Sequence, residues 1–327
     1  MKQTLFTLLL ITCIGLISCR KTKNDPNITQ YDQTQIQNYI SANGLTDMKR
    51  DESNGDTSGI YYKILSQGST TGAPLAYPDS VAFVLTVKSF DGKYVNVDTL
   101  NLSHFDGLVG HISNGGPVLG FTKGLQYAIH DIIKYKGTRA RVLVPSRVAY
   151  GVNGVGTGSS SNTGTRILGN QCLDYYINVI SDVNVYDRYL INEYKTKNNL
   201  SGFNEVQTGP AKGMGLFIKV VTPGTGTDPL SEASSFTTNY TGKWLNGTVF
   251  GSTATDAGTA GTTTLSSFTI NQLIPGVQYA LSGQTAGAVV SMLIPSRLAY
   301  GKGGSGTTIG PDVPLYYDFT VSTVSNP

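Results

Sequence analysis

The chain has 327 residues, 14% of them charged, with 24 basic against 21 acidic side chains and a formal net charge of +3. So sparse a field excludes a protein that grips nucleic acid by neutralising phosphates, and the length favours about two domains. Glycine is abundant, at 39 residues, and tyrosine outnumbers phenylalanine 19 to 11, a mixture that predicts a β-rich fold with many turns rather than a helical bundle.

The first element in chain order is a targeting segment. Lys2 precedes an apolar run from Leu5 to Ile17, too short to span a bilayer and shaped like a secretory h-region. The run ends in Leu16-Ile17-Ser18-Cys19, which resembles the lipobox of bacterial lipoproteins with Cys19 as the acylated residue. The other reading is an ordinary signal peptide with an incidental cysteine. Residues 1–18 are therefore expected to be a lipoprotein signal peptide and 19–30 a polar, solvated tether. Of the three cysteines, Cys13 would leave with the signal and Cys19 would carry lipid. Only Cys172 would remain as a thiol, so stability has to come from the core and not from an internal disulfide.

The rest of the chain is written twice. "YDQTQIQNYISANGL" (Tyr31–Leu45) returns as "YDRYLINEYKTKNNL" (Tyr186–Leu200), and Ile36, Tyr39 and Ile40 form one apolar helical face. A turn follows in each copy, then "GIYYKIL" from Gly59 against "GLFIKVV" from Gly215, predicted strands. Further strands begin at Ser80 and Ser235. "VLGFTKGLQYAI" (Val118–Ile129) is aligned with "IPGVQYALSGQT" (Ile274–Thr285) as a short helix. "VPSRVAYG" (Val144–Gly151) is repeated as "IPSRLAYG" (Ile294–Gly301), and a glycine-rich loop leads to last strands starting at Leu173 and Leu315. So long a period is not a solenoid. It predicts a tandem α+β protein with two cores, 31–183 and 184–327.

The second copy resembles the FKBP-type peptidyl-prolyl isomerases from about Met214 to Val324, through "NYTGKWLNGTVFGST", "FTINQLIPGVQYAL" and "LIPSRLAYGKGGSGTTIGPDVPLYYDFTV". The first copy shows the same frame from about Gly59 to Ser181, with only the later motifs clear. The resemblance implies two FKBP-like domains, each an antiparallel sheet wrapped around a short helix and each preceded here by an extra helix. It also implies a rotamase acting on proline-containing unfolded or exported polypeptides, with no cofactor and no metal. Carried over by position, the family's catalytic pocket falls on Tyr240, Phe250, Ile274, Tyr300 and Tyr317, with Val277, Phe268 and Ile309 completing the substrate-binding wall. Tyr300 would offer its hydroxyl, and Ile274 its backbone N–H, to the substrate carbonyl.

The chain also departs from the family. Gly251 stands where an acid is usual after the phenylalanine, and Val277 where a tryptophan floor is usual. These departures keep a rival open, a non-catalytic FKBP-fold lipoprotein that only binds; a purely structural surface lipoprotein is a third reading. In the first copy Phe121 is read at the floor position, with Tyr150 and Tyr175 retained, Leu85 in place of Tyr240, and no phenylalanine near Val95. Its longer loop, within "GVGTGSSSNTGTR", would cover or reshape that cleft. The first site is therefore expected to be degenerate and the second to carry the activity. With the lipid anchor, the expected location is the cell envelope, at the outer membrane, on its periplasmic or surface face.

Two other signals fail on context. "GKGGSG" at Gly301–Gly306 fits a dinucleotide fingerprint but leads into Thr-Thr-Ile-Gly-Pro rather than a helix. His104, His111 and His130 have no acid cluster at metal-ligand spacing.

Overall fold

The computed structural model describes residues 27–53, 58–96, 104–112, 120–156, 165–253 and 265–327. The signal segment, Cys19 and most of the tether lie outside them, as do residues 157–164 of the longer loop.

Each copy begins with a helix, α1 (Ile28–Ala42) and, after the first sheet, α3 (Val183–Lys197). Asn27 caps α1 by accepting from the Thr29 N–H, and the Asp182 carboxylate caps α3 by accepting from Asn184 and Val185. These side chains satisfy first-turn donors that have no partner within the helix. Lys195 and Lys197 close α3 where cations favour the helix dipole.

The first sheet has the strands β1 (Lys49–Arg50), β2 (Tyr61–Ser66), β3 (Ser80–Ser89), β4 (Val95–Asn96), β5 (Phe105–Leu108), β6 (Arg139–Val144) and β9 (Leu173–Ile180). They run in the order β1-β2-β6-β9-β3-β4, with β5 also on β3. The pair β7 (Val155–Gly156) and β8 (Arg166–Ile167) stands apart in the glycine-rich loop. The second sheet has β10 (Asn204–Glu205), β11 (Phe217–Thr222), β12 (Ser235–Trp244), β13 (Val249–Ser252), β14 (Ser266–Thr269), β15 (Val289–Ile294) and β16 (Leu315–Ser325). Its order, β10-β11-β15-β16-β12-β13 with β14 on β12, repeats the first strand for strand, and every pairing is antiparallel.

Each sheet is covered on both faces. On the inner face lie short helices, α2 (Lys123–Tyr127, continued by a wider π-type turn, Ala128–Ile133) and α4 (Pro275–Leu281). Leu125, Ala128 and Ile129 pack with Phe83, Val142 and Tyr175, and Val277, Ala280 and Leu281 pack with Phe236, Val290 and Phe319. On the outer face Ile36 meets Tyr61, Leu143 and Cys172, and Ile191 meets Phe217, Leu293 and Tyr316. This two-sided burial removes apolar area from water at about 25 cal/mol per Å².

The repeated Pro-Ser-Arg string pins the outer helix. Ser296 donates its N–H and its hydroxyl to Asp187 Oδ2, both at 2.7 Å, and Ser146 donates its hydroxyl to Asp32 Oδ1 at 2.6 Å. Asp32 and Asp187 are the acids of the recurring Tyr-Asp pairs, so two distant repeat motifs meet in one buried contact. Only Ser181 and Asp182 separate β9 from α3, whose Val183 and Tyr186 rest on Ala82, Val84 and Ile180 of the first sheet. A cut between 183 and 184 would therefore fall inside the first turn of α3, beyond its capping residue.

Candidate active site

In the second half, β12 presents Tyr240 and β16 presents Tyr317 on the inner face. The 5.7 Å ring contact of Tyr240 with Phe319 and its 5.8 Å edge contact with Phe268 fix one wall. Phe250 reaches the wall through a bulge. Gly242 pairs with Gly251 and Lys243 with Val249, leaving Phe250 as the extra residue. A bulge re-aims a side chain in this way. Its ring stands edge-on to Tyr317 at 5.5 Å and is backed by Trp244 at 5.3 Å. Ile274 is the residue before α4, held extended at φ −61° and ψ 146° ahead of Pro275. Its carbonyl accepts from Val277 and Gln278, while no backbone carbonyl among the described residues takes its N–H. Val277 (2% exposed) and Ile309 (4%) are buried in the second half's hydrophobic cluster. Tyr240, Phe250, Phe268, Ile274 and Tyr300 are half-buried around it.

Tyr300 follows a short turn, Ser296–Leu298, set up by Pro295. It packs against the cluster that holds Tyr317. Burial, then the neighbouring Tyr300, pushes the Tyr317 phenol far above its ordinary value, so it stays protonated and able to donate. All eight residues expected at the second site belong to or pack against one hydrophobic cluster of the second half.

Residues 226–322 match the family model described as FKBP-type peptidyl-prolyl cis-trans isomerase. That match lies wholly within the second half. The chain is similar to the outer membrane protein MIP of Legionella longbeachae, at 36% identity over 110 residues, covering 34% of this chain and 44% of that protein. It is also similar to a probable FKBP-type isomerase, FkpA, of Neisseria meningitidis, at 31% over 113 residues (35% and 39% of the two chains). A 22 kDa FKBP-type isomerase of Escherichia coli matches at 34% over 104 residues (32% and 47%). The chain spans less than half the length of these curated relatives. Among solved structures, an isomerase from Pseudomonas syringae has 26% identity and a TM-score of 0.35, covering 44% of this chain and 94% of that one. The three FKBP domains of wheat FKBP73 have 19% and 0.32, covering 86% and 100%.

The first half repeats the strand frame of the second with different residues at the matching positions. Leu85 takes the place of Tyr240, pairing with Ile177 as Tyr240 pairs with Phe319. Val87 opposes Tyr175 where Gly242 opposes Tyr317. On the neighbouring strand Val87 pairs with Asn96 and Lys88 with Val95 without a bulge, so Phe250 has no counterpart. The hydroxyls are taken by the chain itself. Tyr150 accepts from the Gly120 N–H at 2.7 Å and donates to the Phe121 carbonyl at 3.3 Å, and Tyr175 donates to the Gly120 carbonyl at 2.6 Å.

Phe121 is a correction. Aligning Gly120 with Gly276 put it at the Val277 position, but the structure places Leu125 there. Gly124 faces Val144 and Val148 as Gly276 faces Ile294 and Leu298, and each glycine leaves the space a Cβ would need. Phe121 instead packs on Phe83 and Phe105 at 5.8 and 5.5 Å.

Two residues of the second half's candidate site escaped sequence reasoning. Gly242 is one: a Cβ there would come within 2.6 Å of Tyr317 and 2.7 Å of Phe250. Gln278 is the other, donating its amide to the Leu273 carbonyl at 2.6 Å and so bracing the turn before Ile274. Its signal was the glutamine common to "GVQYA" and "GLQYA".

Proposed function

We propose that the chain is a peptidyl-prolyl cis-trans isomerase acting through the cleft of its second half on proline-containing polypeptides. The observation that carries this is the contrast between the halves: half-buried aromatics gather on the cluster of the second, while in the first the Tyr150 hydroxyl is taken by the backbone of Gly120 and Phe121. A prolyl bond has cis and trans forms of similar energy behind a barrier of about 18–20 kcal/mol, and it exchanges in about 10–100 s. The barrier is amide resonance. A dry aromatic pocket favours the twisted amide, whose charge separation is smaller than that of the planar one. Phe250, Tyr317 and Val277 would enclose the proline, while the Tyr300 hydroxyl and Ile274 N–H hold the neighbouring carbonyl as the bond turns. A thousandfold acceleration needs only about 4 kcal/mol.

The full chain is expected to accelerate exchange in an Xaa-Pro peptide, most strongly with a bulky apolar residue before the proline. Tyr300→Phe should lower the rate about threefold to tenfold, the worth of one neutral hydrogen bond, and Tyr300→Ala further, because it also admits water. Tyr150→Phe should leave the rate unchanged. Equal losses at Tyr150 and Tyr300 would overturn the assignment to the second half. Gly251 favours the binding-only rival, since among the described residues a Cβ there would meet only Tyr240, at 3.7 Å. A folded chain that gives no acceleration decides for that rival.

The chain is further proposed to be held at the cell envelope by lipid on Cys19. The Leu16–Cys19 string supports this, as does similarity to a relative named an outer membrane protein. No helix among the described residues is long and apolar enough to cross a membrane. Two or more acyl chains, at ~0.8 kcal/mol per buried CH₂, give stable attachment. Wild type should enter the detergent phase on separation and Cys19→Ala should not; a variant that still partitions would refute the anchor.

A further inference from the structure

Four side chains from the two halves meet at the loop that follows Tyr300. His104 and Asp106, beside and on β5, come from the first half; Lys302 and Asp312 come from the second. Lys302 donates to Asp106 at 3.1 Å, as does the Ser80 hydroxyl at 3.3 Å. His104 Nε2 lies 3.8 Å from Asp312 Oδ2. The side chains of His104, Asp106 and Asp312 are 0%, 3% and 4% exposed. Asp312 also donates its N–H to the Gly301 carbonyl at 2.9 Å, closing the loop on the residue next to Tyr300.

We propose that this cluster is a latch by which the otherwise degenerate first half docks the 301–312 loop and so positions Tyr300. Its second property is proton neutrality. The buried carboxyls of Asp106 and Asp312 neighbour each other, which favours one proton between them. Burial raises Asp106, but neighbouring Asp312 and the hydrogen bond from Lys302 outweigh it and hold that carboxyl low. The proton therefore sits on Asp312, raised to about 7 by burial, by Asp106 and by the more distant charge of Asp187 on α3. Lys302 opposes that rise, and Arg297 faces Asp187. Burial lowers His104 to about 4, so its ring is neutral. Undocked and in water, the two groups return to 3.8 and 6.5. Between those values docking takes one proton onto Asp312 and releases one from His104.

The sign follows for each group alone. A raised carboxyl favours the docked state at low pH and loses that advantage as pH rises through about 7. A lowered imidazole favours it at high pH and loses as pH falls from 6.5 towards about 4. Together they cancel, so the intact latch holds the loop evenly across the range.

The test is amide-exchange protection of residues 301–312 in the full chain, corrected for intrinsic exchange at each pH. Wild type should be flat from about pH 4 to 6. His104→Gln should lose protection as pH rises, approaching tenfold per unit where one proton is linked. Asp312→Asn, which tolerates the φ of 51°, should lose it as pH falls. Lys302→Met, at a side chain 72% exposed and so harmless to folding, should lower protection throughout by stranding Asp106. Variants as flat as wild type, or a wild type with a full one-proton slope, would overturn the latch, as would unchanged protection in Lys302→Met. Only the positioning of Tyr300 rests on the isomerase reading. Opposite slopes in a chain that catalyses nothing would sink that reading and leave the latch standing.

Discussion

Replacing Gly242 with valine is expected to close the second cleft and cut prolyl isomerisation by the full chain about 100-fold, the scale of a misplacement near 1 Å. The residue is buried in β12, and its missing Cβ leaves room for the rings of Phe250 and Tyr317. Contacts of 2.6–2.7 Å with ring carbons cannot stand, so one ring must swing out of the wall. Overpacking of this kind costs about 1–3 kcal/mol, which the melt followed through Trp244, the chain's single tryptophan, would register. The first half already holds the result, with Val87 at this position and its γ-carbon pressed on Gly120. Val87→Gly should not open that cleft, because Gly120 still takes the hydroxyls of Tyr150 and Tyr175. A Gly242→Val chain with the wild-type rate would mean that the glycine does not shape the pocket.

Much of this was legible in the sequence because duplication doubles every signal. A motif present twice, such as the tyrosine string, fixes a strand end in both halves at once, and the apolar face of Ile36, Tyr39 and Ile40, two of whose residues recur as Ile191 and Tyr194, marked the outer helix. What escaped depends on contacts across the chain. Gly120 and Gly124 read alike, each followed by an apolar residue, and only the valines facing Gly124 show which one matches Gly276. The bulge at Phe250 is a difference of one residue between paired strands, hidden in an ungapped reading. His104 looked like an isolated histidine, since its partner Asp312 belongs to the other half. The Pro-Ser-Arg string was read for its tyrosine alone, whereas its serine holds the outer helix.

That serine carries the second large effect. Asp187→Ala is expected to destabilise the second half by about 2–5 kcal/mol, because the Ser296 N–H and hydroxyl both lose their acceptor in a site 1% exposed and a stranded buried donor costs about 1–3 kcal/mol. Asp187→Asn should behave differently, since its amide oxygen still accepts from Ser296. Burial raises the Asp187 carboxyl to about 6, against the lowering effect of the Ser296 hydrogen bonds and of Arg297. A raised carboxyl stabilises the fold fully below its unfolded value of 3.8 and loses that contribution as pH climbs through about 6. Wild type should therefore lose stability across that window, by up to about 3 kcal/mol at 1.4 kcal/mol per pKa unit, and Asp187→Asn should not. Denaturant melts read by Trp244 fluorescence at pH 4 and pH 7 separate the cases. The alanine variant should be weaker at both, while the asparagine variant gains on wild type from pH 4 to 7. An asparagine variant as damaged as alanine at pH 7 would show that the charge itself, rather than an acceptor oxygen, secures the helix to the tyrosine string.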